Sequence, residues 1–271
     1  MKKVLLLLIF FITILFPSDV GTNDFNKICH ISIDDTIIIF DDITKNASKY
    51  KSIFDNDSLN FLKQMHDKYG IKIVMFCFNE YGGVNLSDCT DDFAMEFIRN
   101  SDWLKFGYHA DNPDSFLNTD DSYIVESYKN MNREIKRITG EDFCVRAIRL
   151  DRFCGTYQQI QALNKNFNVS AFFTADDKKR KSYYLNEELQ KEVWQKDILK
   201  DNNIIFTPSD IRIERVKHLK SLFKKHKNDS NLVIFTHEIC LLDEKVRRNM
   251  EKLIVLAIEN GNMFSDYIFD D

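Results

Sequence analysis

Two adjacent carboxylates, Asp34 and Asp35, close the stretch Cys29-His30-Ile31-Ser32-Ile33-Asp34-Asp35-Thr36. Acids held side by side repel unless a cation or proton is shared between them. Further polar groups follow apolar runs downstream: His109, Arg149, Asp176-Asp177 and His237. This set suits hydrolysis assisted by a divalent cation. Carboxylate oxygen and imidazole nitrogen are ligands for Zn, and also for Co, Mn or Ni. Such an ion polarises a carbonyl and acidifies a bound water. A carboxylate off the ion then takes the water's proton, and a histidine across the site donates one to the leaving group. Acidic pairs also occur at Asp41-Asp42, Asp91-Asp92, Asp120-Asp121 and Asp270-Asp271, so the pair alone fits a solvated turn equally well.

What must position these groups is an alternation of strands and helices. Apolar runs at 28–33, 71–78, 103–109, 143–150, 169–174, 204–207 and 232–236 read as seven strands. Helical spacing appears over 58–69, 93–98, 120–139, 156–164, 213–227 and 243–260, with Gly70, Gly140 and Gly261 as C-terminal stops. A long loop is expected after the first strand, and 183–199 is mixed. Alternation of this kind predicts a parallel α/β domain. A distorted barrel and a doubly wound sheet give the same string. In a barrel, all the polar groups above would converge at the C-terminal mouth.

Composition sets the outer bounds. The chain has 271 residues, a formal charge of -5 and 29% charged residues. No large basic face is implied, which argues against a nucleic-acid partner. Lys2-Lys3 followed by the apolar run 4–16 reads as a secretory signal or N-terminal membrane anchor over 1–21, leaving 22–271 as one domain. The expected location is secreted, periplasmic or anchored to the outer membrane face. Six cysteines permit disulfides in an exported chain, but no C-x-x-C pair suggests a zinc-thiolate site.

The polar motifs, in their order, resemble the polysaccharide deacetylase family, the NodB-homology carbohydrate esterases. Ser32-Ile33-Asp34-Asp35-Thr36 is similar to that family's T-F-D-D-G motif, and Phe106-Gly107-Tyr108-His109 to the strand entering H-[ST]-x-x-H. Arg149 to Gly155, Asp176-Asp177 and Leu232 to Glu238 stand where the third, fourth and fifth motifs are expected. The resemblance implies a distorted (β/α)7-type barrel. It also implies Asp34 as general base, Asp35 and His109 as metal ligands, Arg149 as the residue orienting the base, and His237 as general acid.

Departures are clear. Thr36 replaces a glycine, Leu150-Asp151 replace prolines, and Pro113 stands where the second motif histidine belongs, leaving Asp114 or Asp111 to supply a ligand. Tyr108, Asp176 and Trp194 are candidate substrate contacts, and Tyr81 and Phe153 further aromatics that could stack on a sugar. The implied activity is metal-dependent removal of N-acetyl groups from an extracytoplasmic or cell-surface polysaccharide. The alternative is a non-catalytic carbohydrate-binding or surface protein on the same fold. A phosphotransferase of the haloacid-dehalogenase type needs its two acids one residue apart, which adjacent Asp34 and Asp35 do not satisfy.

Overall fold

β1 (Ile28–Thr36) is the axis of the larger sheet, and every residue in it but Asp35 is buried. Its isoleucines lie between two parallel neighbours, β2 (Ile73–Phe78) and β11 (Asn231–His237), as expected of a strand covered on both faces. The structure is a computed structural model that describes residues 27–143 and 145–266. The leader expected over 1–21 lies outside the described residues, as does Cys144.

Two sheets form the core. The larger has the order β10 (Ile211–Arg212), β11, β1, β2, β5 (Leu104–Ala110), with β12 (Met263–Phe264) also beside β1. The smaller has the order β6 (Ala147–Ile148), β7 (Ala171–Thr174), β9 (Ile204–Pro208), β8 (Leu199–Asp201), in which only β8 runs antiparallel. A small hairpin, β3 (Glu80–Tyr81) with β4 (Val84–Asn85), leaves the end of β2. The helices are α1 (Ile38–Asn46), α2 (Asp57–Tyr69), α3 (Ala94–Arg99), α4 (Asp121–Thr139), α5 (Tyr157–Phe167), α6 (Glu187–Lys196), α7 (Leu219–His226) and α8 (Glu244–Glu259).

The fold is thus α/β with a mostly parallel sheet. The ladder is not closed among the described residues. Side chains and single backbone bonds cross the two seams. At the first, His109 Nδ1 on β5 donates to the Arg149 carbonyl just past β6, at 2.5 Å. At the second, Ser209 N–H reaches the Thr174 carbonyl and Asp210 N–H reaches the Val233 carbonyl, so the segment after β9 steps from the smaller sheet to the larger.

Four local readings change. The expected loop after β1 contains α1. Its Ile37-Ile38-Ile39-Phe40 run has β-branched residues that disfavour a helix, and its N-cap residue has no capping side chain. The predicted strand over 143–150 shrinks to β6. The predicted helix over 213–227 splits into a 3-10 turn, Ile213–Arg215, and α7; the break leaves Glu214 facing β11. The mixed segment 183–199 resolves into α6, capped by Asn186, and the start of β8.

Candidate active site

The strand register brings the first and last polar groups together. β1 and β11 pair so that Asp34 lies opposite His237. In a regular strand, Asp34 and Asp35 would point to opposite faces. Here β1 carries one extra residue against β2 between Ile33 and Thr36, and Asp35 takes φ 62. That bulge turns the Asp35 carboxylate toward β5. A second bulge sits on β5. Cys77 pairs with Tyr108 but Phe78 pairs with Ala110, so His109 is the extra residue. The two bulges face each other, and His109 Nε2 lies 3.2 Å from Asp35 Oδ1. Asp151, in a tight turn where Arg152 and Phe153 also take positive φ, places Oδ1 3.9 Å from the same nitrogen.

Asp35, His109 and Asp151 each offer a ligand atom within 4.8 Å of the others. The donor set fits a divalent cation: one imidazole nitrogen, two carboxylates, and partial exposure on the carboxylate side. A carbonyl oxygen only accepts, so Nδ1 of His109 carries a proton toward Arg149 and Nε2 is the atom facing the carboxylates. Burial alone would lower the His109 pKa. The hydrogen bond that Asp35 accepts and the charges of Asp34, Asp35 and Asp151 reverse that and lift it to about 9. Burial would raise Asp35, but His109, His237 and Arg212 bring it below its ordinary value. Asp151 rises, chiefly through burial and the nearby Asp35.

Asp34 lies beneath this group and is held separately. Arg149 is 1% exposed and donates from Nη1 to Asp34 Oδ1 at 2.7 Å and to Ser32 Oγ at 3.0 Å. Its Nε reaches Ser209 Oγ at 3.1 Å, and the guanidinium lies 4.1 Å over the Phe235 ring and 4.9 Å over Phe173. An aromatic cage thus fixes the cation that fixes the carboxylate.

His237 faces the group from the other side, with Nε2 4.0 Å from Asp35 Oδ2. Its Nδ1 donates to Glu214 Oε1 at 2.6 Å, and Glu214 also receives Arg212 Nε and Thr236 Oγ1. Burial would raise Glu214, but His237, its own backbone and Arg212 bring it down to about 2.

Asp34, Asp35, His109, Arg149 and His237 therefore meet at one mouth, whereas other expected residues do not. Asp114 is exposed on the loop after β5, and the structure puts Asp151 beside Asp35 and His109 in its place. Tyr108 is 2% exposed, with its hydroxyl on Ser127 and its ring against Tyr128, so it offers no face to a ligand. Alternation explains this: Tyr108 precedes the bulge and points into the helix layer. Asp176 and Trp194 line a cavity of about 720 Å³ beside the site, which meets it at Arg212. Asp176 pairs there with Arg215 at 3.2 Å.

Sequence reasoning missed Asp151 as a donor, and Glu214, Ser32 and Ser209. Asp151 had a signal, since it stands in the Arg149 motif where a proline was expected. Glu214 had none, because its strand end is only two residues long. A second group, Asp210, His226 and Asp229, also has ligand atoms close together. Its atoms are engaged in tying α7 to β11: Asp210 Oδ2 accepts from Val233 N–H, and His226 Nδ1 donates to Asp229.

No protein-family model matches the sequence, and no curated protein matches it. Solved structures do match. A mutant of a CE4-family pseudoenzyme with restored enzymatic activity superposes with a TM-score of 0.52 at 10% identity, over 89% of this chain and 69% of that one. A candidate polysaccharide deacetylase from Mycobacterium smegmatis superposes with a TM-score of 0.51 at 9% identity, over 89% of each chain. The chain has the fold of the CE4, NodB-like polysaccharide deacetylases.

Proposed function

We propose that the protein is a metal-dependent carbohydrate deacetylase that removes N-acetyl groups from an extracytoplasmic or cell-surface polysaccharide. The observation that carries this reading is the pair of facing bulges. They direct Asp35 and His109 to one point, with Asp151 as third donor, between Asp34 on one side and His237 on the other.

A cation there would be held by Asp35, His109 and Asp151, and would supply Lewis acidity to the acetyl carbonyl and to water. The chain's own groups do the proton work. Asp34, held in place by Arg149, accepts the proton of the attacking water. His237 delivers a proton from Nε2 to the departing sugar amine, while Glu214 holds its Nδ1–H and so its orientation. Asp176 and Trp194 line the neighbouring cavity and are the proposed contacts for the flanking sugar units. The apolar run 4–16 supports export, by secretion or by anchoring at the outer membrane face.

The test uses residues 22–271, measuring bound cation and acetate released from N-acetylated glycan oligomers. Asp34→Asn should keep the cation and lose ~10²–10⁴-fold of the rate. Cation binding with no acetate release from any N-acetylated glycan would move the assignment to a carbohydrate-binding protein on the same fold. Absence of cation binding would sink the metal-dependent reading.

A further inference from the structure

α1 begins three residues after Asp35 and lacks a capping side chain of its own. Its first N–H groups are instead taken by Glu238, which is 3% exposed and comes from the residue after His237, some 200 positions downstream. Glu238 Oε2 accepts from Ile37 N–H at 2.9 Å and Ile38 N–H at 2.8 Å, and Oε1 from Ile39 N–H at 2.5 Å. Three donors on one buried carboxylate make a rigid junction. Between this junction and Asp34, the last β1 residue paired with β11, stand only Asp35 and Thr36, and Thr36 pairs with Cys77 of β2. There Asp35 is held in the left-handed region, which strains a non-glycine residue.

We propose that Glu238 is the positioning residue for Asp35: by clamping the start of α1 to the end of β11, it holds the β1 bulge in the strained turn that aims Asp35 at His109. The inference rests on Asp35 acting as a cation ligand. A strained turn persists only where its surroundings over-determine it. Arg149, itself bonded to Ser32, anchors Asp34, whereas the Asp35 carboxylate meets His109 at 3.2 Å and, more distantly, His237 at 4.0 Å. Without the clamp, Asp35 can relax to negative φ and swing its carboxylate away. Because Glu238 follows His237 directly, the same side chain also fixes the spacing between the candidate acid and the candidate ligand.

Glu238→Asp tests this, since it keeps the charge but is one methylene too short to span the three N–H groups. Titration of the full domain with Zn²⁺ alone should show affinity weakened ~10–100-fold, the range for residues that orient metal ligands. Leu253→Ala, in the α8 core, is the control for destabilisation alone and should leave affinity unchanged while the protein is folded. Unchanged Zn²⁺ affinity in Glu238→Asp overturns the proposal. An equal loss in Leu253→Ala also overturns it, since the effect would then be general. Should Glu238→Asp not fold, Glu238→Gln keeps one acceptor oxygen and should weaken affinity in the same direction; unchanged affinity there likewise overturns it. If the wild type binds none of Zn²⁺, Co²⁺, Mn²⁺ and Ni²⁺, the functional reading fails, and crystal structures of wild type and variant decide this one. Asp35 leaving positive φ and its contact with His109 in the variant upholds the positioning role, and an unmoved Asp35 ends it.

Discussion

Arg149 and Asp34 form a buried ion pair whose two members are each almost wholly removed from water. Such a pair contributes little net stability, yet removing one member leaves an uncompensated buried charge. Arg149→Met should therefore cost about 3–5 kcal/mol of unfolding free energy, read from urea denaturation. The Asp34→Asn, Arg149→Met double variant should recover part of that loss, because the stranded carboxylate is gone. If the double is no more stable than the single, the pair does not act as a unit.

Glu214 carries a pH signature at the same scale. Its carboxyl titrates at about 2 in the folded chain against an ordinary value of 4.5. A depressed acid pKa stabilises the fold above the unfolded value, and that contribution disappears as pH falls through the folded one. Stability should thus drop between about pH 4.5 and pH 2, and Glu214→Gln should flatten that part of the profile. An identical acid limb in Glu214→Gln would show that the bond to His237 is not energetically coupled to folding.

At the scale of elements, the site depends on how β5 seats against its neighbours. Gly107 lies two residues before His109, and a Cβ there would meet Val145 Cγ2 at 2.6 Å and two Phe76 ring carbons at 3.0 Å. Phe76 belongs to the adjacent strand, so the space cannot open without shifting the β2–β5 register near the bulge. Gly107→Ala should cost ~1–3 kcal/mol through overpacking, visible as a lower urea midpoint with an unchanged slope. A wild-type midpoint would mean that Val145 yields freely. The β5–β6 seam makes a related point: His109 bonds the Arg149 carbonyl across an unladdered gap, so the candidate ligand also joins the two sheets.

For the molecule as a whole, a cation bound at the proposed site would be linked to folding. Three donors from β1, β5 and the turn after β6 come together only in the folded chain. A ligand that binds only the native state stabilises it by ~2.7 kcal/mol at a hundred times its Kd. For a domain of this size that is a rise in Tm of roughly 5–10 °C. A chelator should reverse the rise, and Asp35→Asn should abolish it. A cation-independent melt in the wild type would contradict the site.

What could be read along the chain was everything written in local pattern. The apolar runs marked β1, β2, β5, β7, β9 and β11, because a strand buried on both faces must be apolar throughout. The polar groups at their ends named Asp34, Asp35, His109, Arg149 and His237, since catalytic groups gather where parallel strands stop. The fold of the CE4 deacetylases follows from that order. Tertiary structure alone decided which neighbours those groups have. The bulges that aim Asp35 and His109 exist only as a mismatch between two strands, so neither sequence by itself contains them. α1 was hidden because its start is capped by Glu238 from the far end of the chain, against the preference of its own isoleucines. Asp151 rather than Asp114 came to lie beside Asp35 and His109, and Glu214 joined His237, through turns whose backbone is set by packing. Strand pattern is a short-range property of the chain, whereas the meeting of side chains is long-range, and only the folded protein brings the two together.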